Sequence, residues 1–184
     1  YALDTKDKQR YRFTPFNGQA DNQLLTSLTQ TTSGAAIKFY YNQKGQLNKI
    51  IDSGGRLIQL SYTDDNRIHK IYLPEPESNV TRDHTNPNLF CAVEHLYRNG
   101  MLVQVDDALQ QPLQYHYDNT LLIKETFRSG LSFYFEYDGR DHNARCLRTW
   151  GDGGIYYRDI RYDIENNITW VKDSRGNVTT YYHN

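Results

Sequence analysis

Residues 37–56, IKFYYNQKGQLNKIIDSGGR, read as strand, turn, strand, turn. Ile37, Phe39 and Tyr41 alternate with Lys38, Tyr40 and Asn42, the period-two pattern of a strand with one sheltered face. Asn42-Gln43-Lys44-Gly45 forms a hairpin loop, and Gly45 can take the positive φ that closes it. Leu47 to Ile51 runs back as the partner strand, and Asp52-Ser53-Gly54-Gly55 turns the chain into another unit of the same kind.

Outward from this stretch the arrangement repeats. Upstream, Arg10 to Phe13 (RYRF) is a strand followed by a turn carrying Pro15, Asn17 and Gly18, with Leu24 to Thr29 as its partner. Downstream come Leu57 to Tyr62, a turn at Asp64-Asp65-Asn66, and Arg67 to Leu73. Asn66 stands where Gly45 stood, and Asn is the residue after Gly best able to occupy the left-handed region. After an interruption, Val93 to Tyr97 and Met101 to Asp106 flank Asn99-Gly100, the strongest short hairpin signal in the chain. Leu113 to Tyr117 and Leu121 to Phe127 follow around Asp118-Asn119, then Leu131 to Tyr137 and Arg145 to Trp150 around a longer loop. Ile155 to Tyr162, Asn166-Asn167 and Ile168 to Lys172 come last, before Asp173-Ser174-Arg175-Gly176 and a final strand from Val178.

The interruption, Pro74 to Pro87, is polar with three prolines, and proline cannot donate to a central ladder. The sequence therefore divides into a first run of repeats, 1–73, a proline-containing insertion loop, 74–92, and a second run, 93–184. The two runs form one repeat array, which opens and stops mid-pattern and reads as a piece of a larger core.

Tyr41, Tyr62, Tyr97, Tyr117, Tyr137, Tyr162 and Tyr182 occupy the same place, at the end of the first strand of each hairpin. Where no loop is lengthened they recur at roughly twenty residues, a spacing that signals repeat architecture. Apolar residues share their face (Ile37 and Phe39, Ile58 and Leu60, Phe133 and Phe135), whereas Lys38, Gln59, Gln114, His116, Glu136 and Arg161 lie opposite. The fold class is all-β: tandem antiparallel hairpins in one repeat array. A single sheet of this kind cannot cover its own aromatic face, and an uncovered patch marks an interaction surface. It needs a second layer, a closed curve or enclosed contents.

Composition supports this reading. Tyrosine makes up 16 of 184 residues, a strong bias toward pleated sheet. The net charge of −1 gives no reason to expect nucleic acid or an anionic membrane as partner. No apolar run approaches the length needed to span a bilayer, and the first residues lack the features of a signal peptide. Cys91 and Cys146 are far apart and in no metal-ligand pair, so free thiols are expected.

Candidate chemistry is sparse. Asp52, Asp106, Asp118, Asp138, Asp163 and Asp173 fall at turns, where Asp caps the backbone, and none lies in a calcium-loop run. With Gly45, Gly55, Asn66, Gly100, Asn119, Asn167 and Gly176 they make up the turn chemistry of the array. The six histidines show no metal-binding spacing. Asp141-His142 beside Arg140 and Arg145 is the most polar knot and reads as a solvated loop. Trp150-Gly151-Asp152-Gly153-Gly154 precedes a strand, so no helix N-terminus is available for phosphate; it reads as a tight turn with Trp150 packed beneath it. Sequons at Asn79, Asn167 and Asn177 are few enough to arise by chance. No catalytic residue, metal ligand or cofactor is expected.

The segments FYYNQKGQLNKIIDSGGR, QYHYDNTLLIKETFRSG, FYFEYDGRDHNARCLRTWGDGG and DIRYDIENNITWVKDSRGN closely resemble the YD repeats of the Rhs family. LDTKDKQRYRF with LLTSLTQTTSG, and the run ARCLRTWGDGGIY, resemble the wall repeats of bacterial Rhs effectors. The resemblance covers nearly the whole chain, with 74–87 as the main departure. It implies a curved, spiralling sheet of hairpins, a segment of a hollow β-cocoon enclosing a C-terminal toxin delivered by type VI machinery to competing bacteria. Implied partners are the rest of the shell, the enclosed toxin and, through other parts of the protein, a secretion spike. Implied localisation is the bacterial cytoplasm and then export. The chain shows neither the family's spike-docking module nor the DPxGL-type self-cleavage motif, so no catalytic role carries over.

The functional expectation is a non-enzymatic shell segment that confines a toxin. The alternative is a YD-repeat carbohydrate-binding or adhesion module at the cell surface, since rows of tyrosines can stack on sugar rings.

Overall fold

The structure, a computed structural model, describes residues 1–75 and 88–183. Sixteen strands account for almost all of the regular structure among them. The first compact unit, Tyr1–Glu94, holds β1 (Ala2–Asp4), β2 (Gln9–Phe16), β3 (Gln19–Gln30), β4 (Ala36–Tyr41), β5 (Leu47–Asp52), β6 (Leu57–Tyr62), β7 (Ile68–Pro74) and the start of β8 (Leu89–Arg98). The second, His95–Asn184, holds the end of β8, then β9 (Met101–Asp107), β10 (Pro112–Asp118), β11 (Leu121–Thr126), β12 (Ser132–Tyr137), β13 (Cys146–Gly151), β14 (Arg158–Asp163), β15 (Ile168–Asp173) and β16 (Val178–Tyr182). The strands hydrogen-bond in chain order. The architecture is all-β and antiparallel. The one helical element among the described residues is a 3₁₀ turn, Asp152–Gly154, and no helix there is long and apolar enough to cross a membrane.

One loop geometry recurs along the chain. At Asn42–Gln46, Asp52–Arg56, Thr63–Arg67, Asp107–Gln111 and Asp173–Asn177 the first residue's N–H donates to the fifth residue's carbonyl, and its own carbonyl accepts from the fourth residue's N–H. The fourth residue is left-handed each time: Gly45 (φ 78°), Gly55 (80°), Asn66 (67°), Gln110 (58°) and Gly176 (87°). This is a type I turn followed by a bulge residue, whose twist suits adjacent strands. The first residue also caps the loop from its side chain. Asn42, Asp52, Asp107 and Asp173 each accept the amides two and four residues on through Oδ1, at 2.9–3.0 Å. Shorter turns are made at Asn99 (φ 50°) and Gly100 (80°), and at Asn119 (52°).

Several boundaries differ from the sequence reading. Pro15 lies inside β2, opposite Gln23, and the hairpin closes at Asn17 and Gly18 instead. The ladder of β7 and β8 runs out to Pro74 opposite Leu89, so the interval between strands is shorter than 74–92; a strand end tolerates the missing N–H of proline. His84 and the Asn79 sequon lie outside the described residues. Residues 155–157 are not strand: the Gly151 N–H donates to the Ile155 carbonyl at 2.7 Å, Tyr156 has φ 53°, and β14 begins at Arg158. Asp106 is not a cap. Its carboxylate receives the Gln104 amide at 2.9 and 3.0 Å, and Asp107 caps the turn.

A core in the usual sense is missing from the described residues. Leu57, at 5 % exposure, is the buried apolar side chain, Ser132 at 4 % is the buried polar one, and no large side chain is fully buried. Most other strand residues are half-buried, and nearly all the rest, including all of β1 and β16, are exposed. That is the signature of a single layer, in which each side chain touches cross-strand neighbours but no second sheet.

Candidate functional site

The feature that repeats in space as well as in sequence is the tyrosine row. The Tyr41 hydroxyl donates to the Leu25 carbonyl (2.8 Å), Tyr62 to Leu47 (2.7 Å), Tyr117 to Leu102 (2.9 Å), Tyr137 to Leu122 (2.9 Å) and Tyr162 to Cys146 (2.8 Å). Each donor lies 15 or 16 residues after its acceptor. The acceptors follow a rule. Leu47 is the register partner of Tyr41, Leu122 that of Tyr117, and Cys146 that of Tyr137. In each of these cases the tyrosine of one hairpin is tied to the backbone residue facing the tyrosine of the hairpin before it.

A bulge makes the acceptor available. The register shifts between Tyr40 and Tyr41, Ser61 and Tyr62, His116 and Tyr117, and Glu136 and Tyr137, with Asn48, His69, Ile123 and Leu147 as the inserted residues on the return strands. An extra residue bends the return strand and re-aims its carbonyls. The same shift falls between Arg12 and Phe13, with Leu25 opposite Phe13, and Leu25 is the acceptor of Tyr41. Phe13 is therefore an unforeseen member of the series, without a hydroxyl and with its ring 5.8 Å from that of Tyr1. At Tyr162 the register with β15 runs unshifted.

Burial pushes the hydroxyl pKa of Tyr41, Tyr62, Tyr117, Tyr137 and Tyr162 upward, which keeps all five protonated and able to donate. Tyr97 stands near the end of β8, one residue before its last. Tyr182 pairs with Ile168 at the outer strand and is 77 % exposed. The strands of Tyr97, Tyr117 and Tyr162 run one residue beyond the tyrosine, because their turns are built differently from those after Tyr41 and Tyr62.

The capping carboxylates are held below their ordinary range. For Asp52 and Asp107 the leading cause is a backbone N–H, from Arg56 and Gln111; for Asp163 and Asp173 it is the side-chain amide of Asn166 and Asn177. Asp138 accepts the Arg145 N–H at 2.7 Å, and Asp118 lies 3.7 Å from Arg140. Asp141 is engaged by the Asn143 N–H at 2.8 Å, capping the loop that holds His142. His69 and Lys70 share one oxygen of Glu94, each at 3.1 Å. Among the described residues no three His, Cys, Asp or Glu side chains gather as metal ligands, and Cys91 and Cys146 are free thiols.

The face opposite the tyrosines is organised by cross-strand pairs. Arg148 is register partner to both Glu136 and Asp159 and lies 3.1 and 3.8 Å from their carboxylates. Exposed pairs of this kind contribute little each, but they leave the charges matched. Trp150 does not pack beneath the glycine turn; it stacks on Tyr134, ring centres 5.7 Å apart and planes 16° apart. Lys124 lies over the Tyr134 ring, 5.5 Å from its centre, so Tyr134 has neighbours on both ring faces. The turn itself is pinned by Asp152, which accepts the Ser132 N–H at 2.8 Å and the Tyr134 hydroxyl at 2.9 Å. On the tyrosine face of the first unit, Ile37, Ile50, Ile58, Leu73 and Phe90 line an open apolar groove of about 770 Å³, with the Asp52–Arg56 ion pair at its rim.

These features define a class: a wall of antiparallel hairpins in which, among the described residues, five tyrosines each tie a hairpin to the one before it. A model of the Teneurin YD-shell family matches residues 24–152, more than half of the 184-residue chain. The chain belongs to the Teneurin YD-shell family, and it is a structural shell segment. No curated protein matches it. Among solved structures it is similar to the TcdB2-TccC3-Cdc42 complex, at 11 % identity and a TM-score of 0.52, over 96 % of this chain and 11 % of that one. It also aligns with TcdB2-TccC3 at 12 % identity and a TM-score of 0.48, over 94 % of this chain and 11 % of the other. The chain thus spans only a small part of the length of the proteins it resembles. At 11 % identity the likeness to the three-component complex concerns the fold.

Proposed function

We propose that this chain is a stretch of shell wall that confines a toxin domain of the same protein until delivery, and that it works by enclosure, not by catalysis. The observation that carries the reading is the absence of a self-made core: a sheet of sixteen strands with one buried apolar side chain among the described residues needs something to cover one face. Burying apolar surface contributes roughly 25 cal/mol per Å², so enclosed polypeptide would stabilise the wall while the wall hides it. The rest of the shell is the second partner. In the delivering organism, a bacterium, the protein would be held in the cytoplasm and then exported, with type VI machinery and its spike as the proposed route.

The surface-adhesion reading draws less support. The five bonded tyrosine hydroxyls are engaged by backbone carbonyls, and Tyr134 is flanked by Lys124 and Trp150.

Limited proteolysis of the full-length protein tests the proposal. The domain following the shell should resist digestion in the parent protein and become sensitive when the wall is weakened by Tyr117→Ala with Tyr137→Ala. Equal digestion in both would refute enclosure. A saturable change in tyrosine fluorescence on a sugar panel would favour adhesion instead.

A further inference from the structure

We draw no further inference here: the strongest candidate, the open apolar groove on the tyrosine face of the first unit lined by Ile37, Ile50, Ile58, Leu73 and Phe90, is an unpartnered stretch of sheet face, and nothing in the structure shows what covers it.

Discussion

Replacing Tyr137 by Phe removes one oxygen and leaves the ring. What is lost is the 2.9 Å bond to the Leu122 carbonyl, with a net contribution of about 1 kcal/mol. For a chain of this length that lowers the thermal midpoint by about 2–4 °C. Tyr40→Phe is the control. Tyr40 is 42 % exposed on the other face of its strand, and its loss should fall within about 0.5 kcal/mol of zero. The stronger test is a cycle. Leu122 is both the register partner of Tyr117 and the acceptor of Tyr137, so relaxing the bulge with Tyr117→Ala should weaken the bond that Tyr137→Phe deletes. Denaturant unfolding of the parent, both single variants and the double should give a coupling of about 0.5 kcal/mol or more. Phe at all five bonded positions should cost about 5 kcal/mol, comparable with the low end of a whole domain's stability. A Tyr137→Phe midpoint indistinguishable from that of Tyr40→Phe, or a cycle that closes additively, would refute the tie.

Alkaline titration reports on the same hydroxyls. Their pKa is raised by burial, so their stabilisation is complete below the ordinary tyrosine value of about 10 and disappears as pH climbs through the higher folded values. Ultraviolet absorbance should show tyrosinate forming together with loss of sheet circular dichroism. At the acid end the lowered carboxylates of Asp52, Asp107, Asp163 and Asp173 stabilise the fold above about pH 3.9 and cease to do so as pH falls through their folded values; Asp173→Asn should flatten that acid limb in a pH series of unfolding midpoints. Gly45→Ala meets two obstacles, a φ of 78° and the Phe16 ring 3.1 Å from the new Cβ. A loss of about 1–2 kcal/mol is expected, and Phe16→Ala in the same chain should restore the crowding part but not the backbone part, as read by unfolding midpoints.

The alternation of apolar and polar residues made the strands legible, because one face of each is drier than the other. Register was not legible. A bulge adds one residue to the return strand, Asn48 or Ile123 for example, and shifts its alternation by one position, so that Ile50 and Leu47 face Phe39 and Tyr41 although they stand three residues apart. Phe13 was missed for a related reason: it lacks the hydroxyl that marks the series, and the Pro15 and Asn17 that follow it look like a turn, whereas the strand continues to Phe16. For the cap at Asp107 a signal was present. Asp52 precedes Gly55 and Asp173 precedes Gly176 by the same three positions that separate Asp107 from Gln110, but Gln seldom takes a positive φ, and Asp106 stands beside Asp107 as an equally good cap by residue type. The departure at 155–157 hides behind Tyr156, another residue seldom found at the φ of 53° it adopts.

The hydroxyl ties have a direction. In every bonded pair the acceptor precedes the donor by 15 or 16 residues, so on a ribosome the carbonyl is always made before the tyrosine that seeks it. A newly emerged hairpin can fasten to its finished predecessor without waiting for distant sequence, and such short-range closure favours rapid folding. Growth in this manner resembles laying courses of brick, each course set on one already in place.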